Sequence, residues 1–128
     1  MLITDSKTLK ELKKEFSAKF PYLKIEFYKD KHEDGQASHV KKQLEDHLPI
    51  NEVRTDHTEG DFRINGHLKV STFESRIRDQ YGLNVQVFRR SGNLWLQTTT
   101  TDHWTLSEQN GKGQRSEKSY QKMHEEES

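Results

Sequence analysis

The sequence predicts a two-layer α/β sandwich, or the related α+β arrangement: a mixed sheet of four or five strands with about three helices on one face. Three observations point there. A pattern of apolar side chains occurs twice, 61 positions apart: Ile3, Leu9, Leu12, Phe16 and Phe20 first, then Ile64, Val70, Phe73, Ile77 and Tyr81. After a gap it resumes, with Leu23, Ile25 and Phe27 against Leu83, Val85 and Val87. The strand-like segments alternate apolar and polar residues, which marks a sheet with one buried face rather than one covered on both. Strands separated by helices, finally, imply parallel neighbours joined by right-handed crossovers.

The first helix is expected from Thr8, because Thr8-Leu9-Lys10-Glu11 has capping-box spacing. Leu9, Leu12, Phe16 and Phe20 form its apolar stripe, and Pro21 stops it. Leu23 to Tyr28 is a strand with Ile25 and Phe27 inward and Lys24, Glu26 and Tyr28 outward. A charged loop, 29–36, leads to a short helix expected over Ser38 to Leu48 on Val40, Leu44 and Leu48, ended by Pro49.

Asp61 to Ile64 opens the second unit as a short strand, and Asn65-Gly66 makes a turn. A third helix carries Val70, Phe73, Ile77 and Tyr81, with Ser71-Thr72-Phe73-Glu74 as its capping box and Gly82 at its C-terminal end. Leu83 to Arg89 is the next strand; residues 90–93 turn, and Leu94 to Thr98 returns antiparallel as a C-terminal hairpin with Leu94 and Leu96 inward. Thr105-Leu106-Ser107-Glu108 caps a last short helix.

These elements divide the chain into one domain over residues 1–110, with pseudo-repeat units at about 1–29 and 61–98, a helical insertion at 30–60, and a polar tail at 111–128. None of the 27 Leu, Ile, Val and Phe residues lies beyond Leu106, so the tail is expected to stay flexible.

Charge excludes some functions and leaves others open. The net charge is zero, zoned as +3 over residues 1–29, −4 over 30–60, +3 over 61–98 and −2 over 99–128. Zones this mild give a polyanion little to hold, since phosphate contacts dominate nucleic-acid affinity. With no cysteine, disulfides and thiolate chemistry are excluded. No segment has the roughly 20 apolar residues of a membrane span, and the N-terminus lacks the apolar core of a signal peptide. The expectation is a cytoplasmic protein.

No catalytic or metal motif emerges. His39 and His47 lie eight apart, not the four that would let a helix present both to one ion. Asp56-His57 and Asp102-His103 read as surface pairs, and Asp102, His103 and Ser107 lie too close in sequence for a triad. Gly111-Lys112-Gly113 has neither the spacing of a phosphate loop nor a preceding strand. No catalytic residue, metal or cofactor is expected, and a His- or metal-dependent hydrolase is only a distant third reading.

The outward sheet face is the remaining candidate. Strand parity places Tyr28, Phe88 and Trp95 on it, with Arg63, Arg89 and Arg90 nearby. The leading expectation is a small non-enzymatic binding or regulatory module that uses this face for a protein partner or a homodimer, because contiguous apolar surface is rarely left bare. The alternative is single-stranded nucleic acid stacking on the aromatics. In the plainest alternative, the C-terminal segment, with Trp104 and Leu106, folds back over the three aromatics.

Overall fold

The computed structural model describes residues 1–29, 35–39 and 42–127. Strand β1 (Leu2–Ile3) leads into helix α1 (Leu9–Lys19), then β2 (Leu23–Tyr28), a short helix α2 (Ile50–Val53) and β3 (Gly60–Asp61). Helix α3 (Val70–Tyr81), the hairpin β4 (Asn84–Ser91) and β5 (Leu94–Gln97), and a long helix α4 (Leu106–Glu127) complete the chain. The result is a mixed α/β fold consistent with a two-layer sandwich.

The strands do not form one mixed sheet. They form two antiparallel sheets, β1-β3 and β2-β4-β5. In the larger, Ile25 faces Val87 and Phe27 faces Val85; in the smaller, Ile3 faces Gly60. Neighbouring strands are antiparallel, not parallel as the alternation of strands and helices predicts. Each β-α-β stretch sends its two strands to different sheets, so no crossover returns to the sheet it left.

Helices α1 and α3 bury Phe16 and Phe73 completely, with their rings 5.2 Å apart. Phe62 then meets both Phe73 and Tyr81 edge-on, continuing an aromatic chain between the helical layer and the small sheet. Truncating either central phenylalanine should cost about 3–5 kcal/mol, the sum of lost transfer energy and the cavity left behind.

Helix starts show where local signals succeed and fail. Thr8 caps α1 as its spacing predicts, accepting from the Glu11 amide at 3.3 Å. The Ser71 capping box does not form. Helix α3 starts at Val70, and its first free amides donate to backbone elsewhere: Val70 N to Trp104 O at 2.9 Å and Ser71 N to Asp102 O at 2.8 Å. Leu106 N returns the bond to Leu68 O. Helices α1 and α2 are joined the same way, with Leu9 N on Leu48 O and Ile50 N on Lys7 O. Backbone from a neighbouring helix start thus satisfies amides that side chains usually cap.

The helix expected over Ser38 to Leu48 is absent among the described residues; Val40 and Lys41 lie outside them, as do residues 30–34 of the charged loop. Residues 42–44 instead run beside β2, where Lys29 N donates to Lys42 O and Leu44 N to Phe27 O. Pro49 precedes a helix rather than ending one, a role its fixed φ suits.

The tail expected over 111–128 is replaced by α4 up to Glu127. The Thr105 capping box forms, with the Glu108 amide on Thr105 Oγ1 and the Thr105 amide on Glu108 Oε1. The helix then docks with polar groups and a glycine: Asn110 Oδ1 accepts from Tyr22 N, and Ser116 Oγ accepts from Gly92 N. A Cβ at Gly113 would lie 2.9 Å from Tyr22 O, so only glycine permits this approach. An apolar-stripe criterion cannot see such a docking face.

Candidate interaction surface

The outward face of β2-β4-β5 is closed at one end and open at the other. At the closed end, Ser38 crosses the sheet: its amide donates to Gln97 Oε1, its carbonyl accepts from Gln97 Nε2, and its hydroxyl meets Gln86 Oε1. Gln43 Nε2 donates to Glu26 Oε2, and Lys13 from α1 pairs with both Glu26 and Asp46. Tyr28 is consequently 3 % exposed. Burial first, then the Glu26 carboxylate, pushes its hydroxyl pKa up to about 12. Tyr28 lies on the outward face that parity predicts, but it is covered, and by Ser38 and Gln43 rather than by the C-terminal segment.

At the open end four side chains gather. Lys24 Nζ lies 5.1 Å from the centre of the Phe88 ring and 5.4 Å from that of Trp95, and the Arg90 guanidinium lies 5.2 Å from the Trp95 ring. Both cations are within cation–π reach. Arg90 also approaches Glu117 of α4 at 3.9 Å, whereas Lys24 has no carboxylate partner among the described residues.

Trp104 and Leu106 do not cover this face. Leu106 is fully buried in the core, and Trp104 sits against Arg89 at 5.9 Å on the other side of the sheet. Arg89 is therefore removed from the predicted cluster. Strand alternation turns it away from Phe88 and Arg90, and its Nη1 donates to Gln109 Oε1. Arg63 is removed as well: it follows β3 in the small sheet, exposed between buried Phe62 and Ile64. Of the six residues the sequence proposes, the structure brings together Phe88, Arg90 and Trp95.

Leu94 and Leu96, which parity predicts inward, are 67 % and 48 % exposed. They share a face with Val87 and Arg89, but β5 is the last strand and the helices do not extend over it far enough to bury them. With Trp95 at 37 % exposure on the opposite face, β5 presents three consecutive apolar side chains to solvent.

No family model, curated protein or solved structure matches the chain.

Other clusters hold structure together. Buried Arg54 donates to Asp5 Oδ1 and to the carbonyls of Thr58 and Tyr81, and His57 Nδ1 lies 2.8 Å from Asp5 Oδ2. Desolvation raises the Asp5 pKa, but the bonds from Arg54 and His57 outweigh it and hold the carboxyl below its ordinary value. Asp102 Oδ2 accepts from the Gly35 amide, and Asp56 Oδ1 accepts from Thr58. Among the described residues no group of three or more acidic or histidine side chains is placed to hold a metal ion, and no helix is long and apolar enough to cross a membrane.

Lys24 and the exposure of the two leucines are absent from the candidate surface predicted from the sequence. Alternation along β2 already places Lys24 on the outward face. Nothing local reveals that β5 lies at the edge.

Proposed function

We propose that this chain is a small non-enzymatic protein-interaction module whose working surface is the β4–β5 hairpin. The observation carrying the proposal is the exposure of Leu94, Trp95 and Leu96 together on a terminal strand. Buried aromatic anchors flanked by polar groups dominate protein interfaces, and a run of this kind is costly to leave in water. Lys24 and Arg90 supply the polar surround.

Stacking of nucleic-acid bases is less favoured by the same geometry. Base stacking needs a bare ring face, whereas cations already lie over Phe88 and Trp95, and Arg63 and Arg89 are elsewhere. An internal pseudo-repeat remains part of this reading, supported by the matching backbone exchanges at the starts of α1 with α2 and of α3 with α4. A cytoplasmic site of action is also proposed, supported by the absence of cysteine.

The test compares the full chain with a Leu94→Ser/Trp95→Ser/Leu96→Ser variant of matched circular dichroism. Peptides selected from a random display library on the full chain should shift hairpin resonances and lose the variant. Selected ligands that bind both proteins equally would overturn the proposal. Single-stranded oligonucleotides that shift the Trp95 indole, with affinity falling steeply in salt, would replace it with the nucleic-acid reading.

A further inference from the structure

Resting on that reading, we infer that β5 receives an added strand, and that the partner is an extended segment with an acidic residue between two apolar ones. The backbone supplies the first reason. Thr98 N donates to Val87 O, and pairing alternates along an antiparallel ladder. Leu96 and Leu94 therefore also bond inward, to Arg89 and Ser91, in the observed register. Trp95 is the intervening residue, so its N–H and C=O point to the free edge.

The second reason is that contacts elsewhere along this sheet occupy part of its opposite edge and the end of β5. Lys42 and Leu44 occupy the flank of β2 through backbone bonds to Lys29 and Phe27. Where β5 ends, the Glu74 carboxylate takes the Val87 amide at 2.9 Å. Gln97 is tied to Ser38 through its side chain. Proteins commonly block edges in such ways because an open edge recruits strands. Among the described residues the Leu94–Leu96 edge has no such block, and it is also apolar.

Side-chain alternation then sets the partner's chemistry. A residue paired with Trp95 projects onto the face carrying Lys24 and Arg90, so a carboxylate there meets two cations. Its neighbours project to the opposite face, beside Leu94 and Leu96, and should be apolar. A second copy of the chain fits less well. Antiparallel pairing of β5 with itself would bring two Lys24 and two Arg90 side chains onto one face. A strand of four residues also offers far less than the roughly 800 Å² per partner of a stable dimer.

The experiment uses the full chain and three synthetic peptides built on Thr-Thr-Val-Glu-Val-Thr-Thr. One is unmodified, one carries Lys for Glu, and one is N-methylated at the central Glu. The unmodified peptide should bind and slow hydrogen exchange at the Trp95 amide. Losing either the charge contact or the backbone bond should weaken binding about tenfold or more. A Lys24→Glu/Arg90→Glu variant should reverse the preference toward the Lys peptide.

Equal binding of the N-methylated peptide would overturn strand addition, and equal binding of the Lys peptide would overturn the acidic specificity. Absence of any shift at millimolar peptide would overturn the inference too. In each case, display-selected ligands that still map to the hairpin would leave the interaction-module reading standing. A dimer in light scattering that Leu94→Glu dissolves would make a second copy the occupant instead.

Discussion

Arg89 and Gln109 join β4 to α4 through a bond from Nη1 to Oε1 of 2.9 Å, made by a glutamine with no exposed surface. Gln109 is satisfied on its other side as well, since Nε2 donates to both the carbonyl and the hydroxyl of Thr101. A polar side chain is thus the centre of the seam that holds the last helix.

Replacing Gln109 with Leu should destabilise the fold by about 1–3 kcal/mol, because the Arg89 guanidinium and the Thr101 groups lose partners in a desolvated place. Arg89→Met alone should cost less, since burial already disfavours the charged guanidinium and lowers its pKa. Urea denaturation of both single variants and the double variant checks this. A coupling energy near zero would show that the bond contributes nothing.

Gly113 and Gly111 should respond to alanine with opposite sign. At Gly113 the new methyl meets the Tyr22 carbonyl at 2.9 Å, and backbone cannot yield easily, so a loss of about 1–3 kcal/mol is expected. At Gly111 the nearest atom is the flexible end of Arg115, at 3.2 Å. Helix propensity should then prevail, with a gain of up to about 1 kcal/mol. Thermal melts of the two variants decide it.

Tyr28 predicts an alkaline limb in the stability profile. Its folded pKa of about 12 lies above the ordinary 10.0. Between these values the unfolded chain loses the proton while the folded one keeps it. The contribution is complete below about pH 10 and is lost as pH rises through the folded value. Tyr28→Phe should flatten that limb in urea midpoints measured from pH 9 to pH 12, and should remove a late-titrating component from the tyrosinate absorbance.

Leu94→Ser and Leu96→Ser should each change stability by no more than about 0.5 kcal/mol, as expected for exposed positions. A core role for either leucine would give 2 kcal/mol or more. Chemical denaturation of the two variants distinguishes these outcomes.

Much of the fold can be read locally. The stripes of α1 and α3, the alternation in β2 and β4, and the hairpin turn each depend on residues within a few positions of one another. Gly92, with φ of 61°, takes the first central place of that turn, where a left-handed conformation is needed. Apolar periodicity reports which face an element buries, so the helix-on-sheet layering follows from it. The candidate surface was legible to the same extent: parity put Phe88, Trp95 and Arg90 on one face.

What parity could not give was the neighbourhood of each face. Tyr28 and Trp95 carry the same sequence signal, yet Ser38 and Gln43 cover the end of the face holding one and leave the other in solvent. Leu94 and Leu96 read as core residues until β5 proves to be the terminal strand. Helix α4 shows no apolar stripe because glycine, amide and hydroxyl groups dock it, with partners that include Tyr22, Arg89 and Gly92 far back along the chain. Side-chain pattern thus fixed the layers, because burial of apolar area is a local tally. Strand order, edge exposure and polar docking waited on the folded chain, because each depends on a partner that sequence distance does not specify.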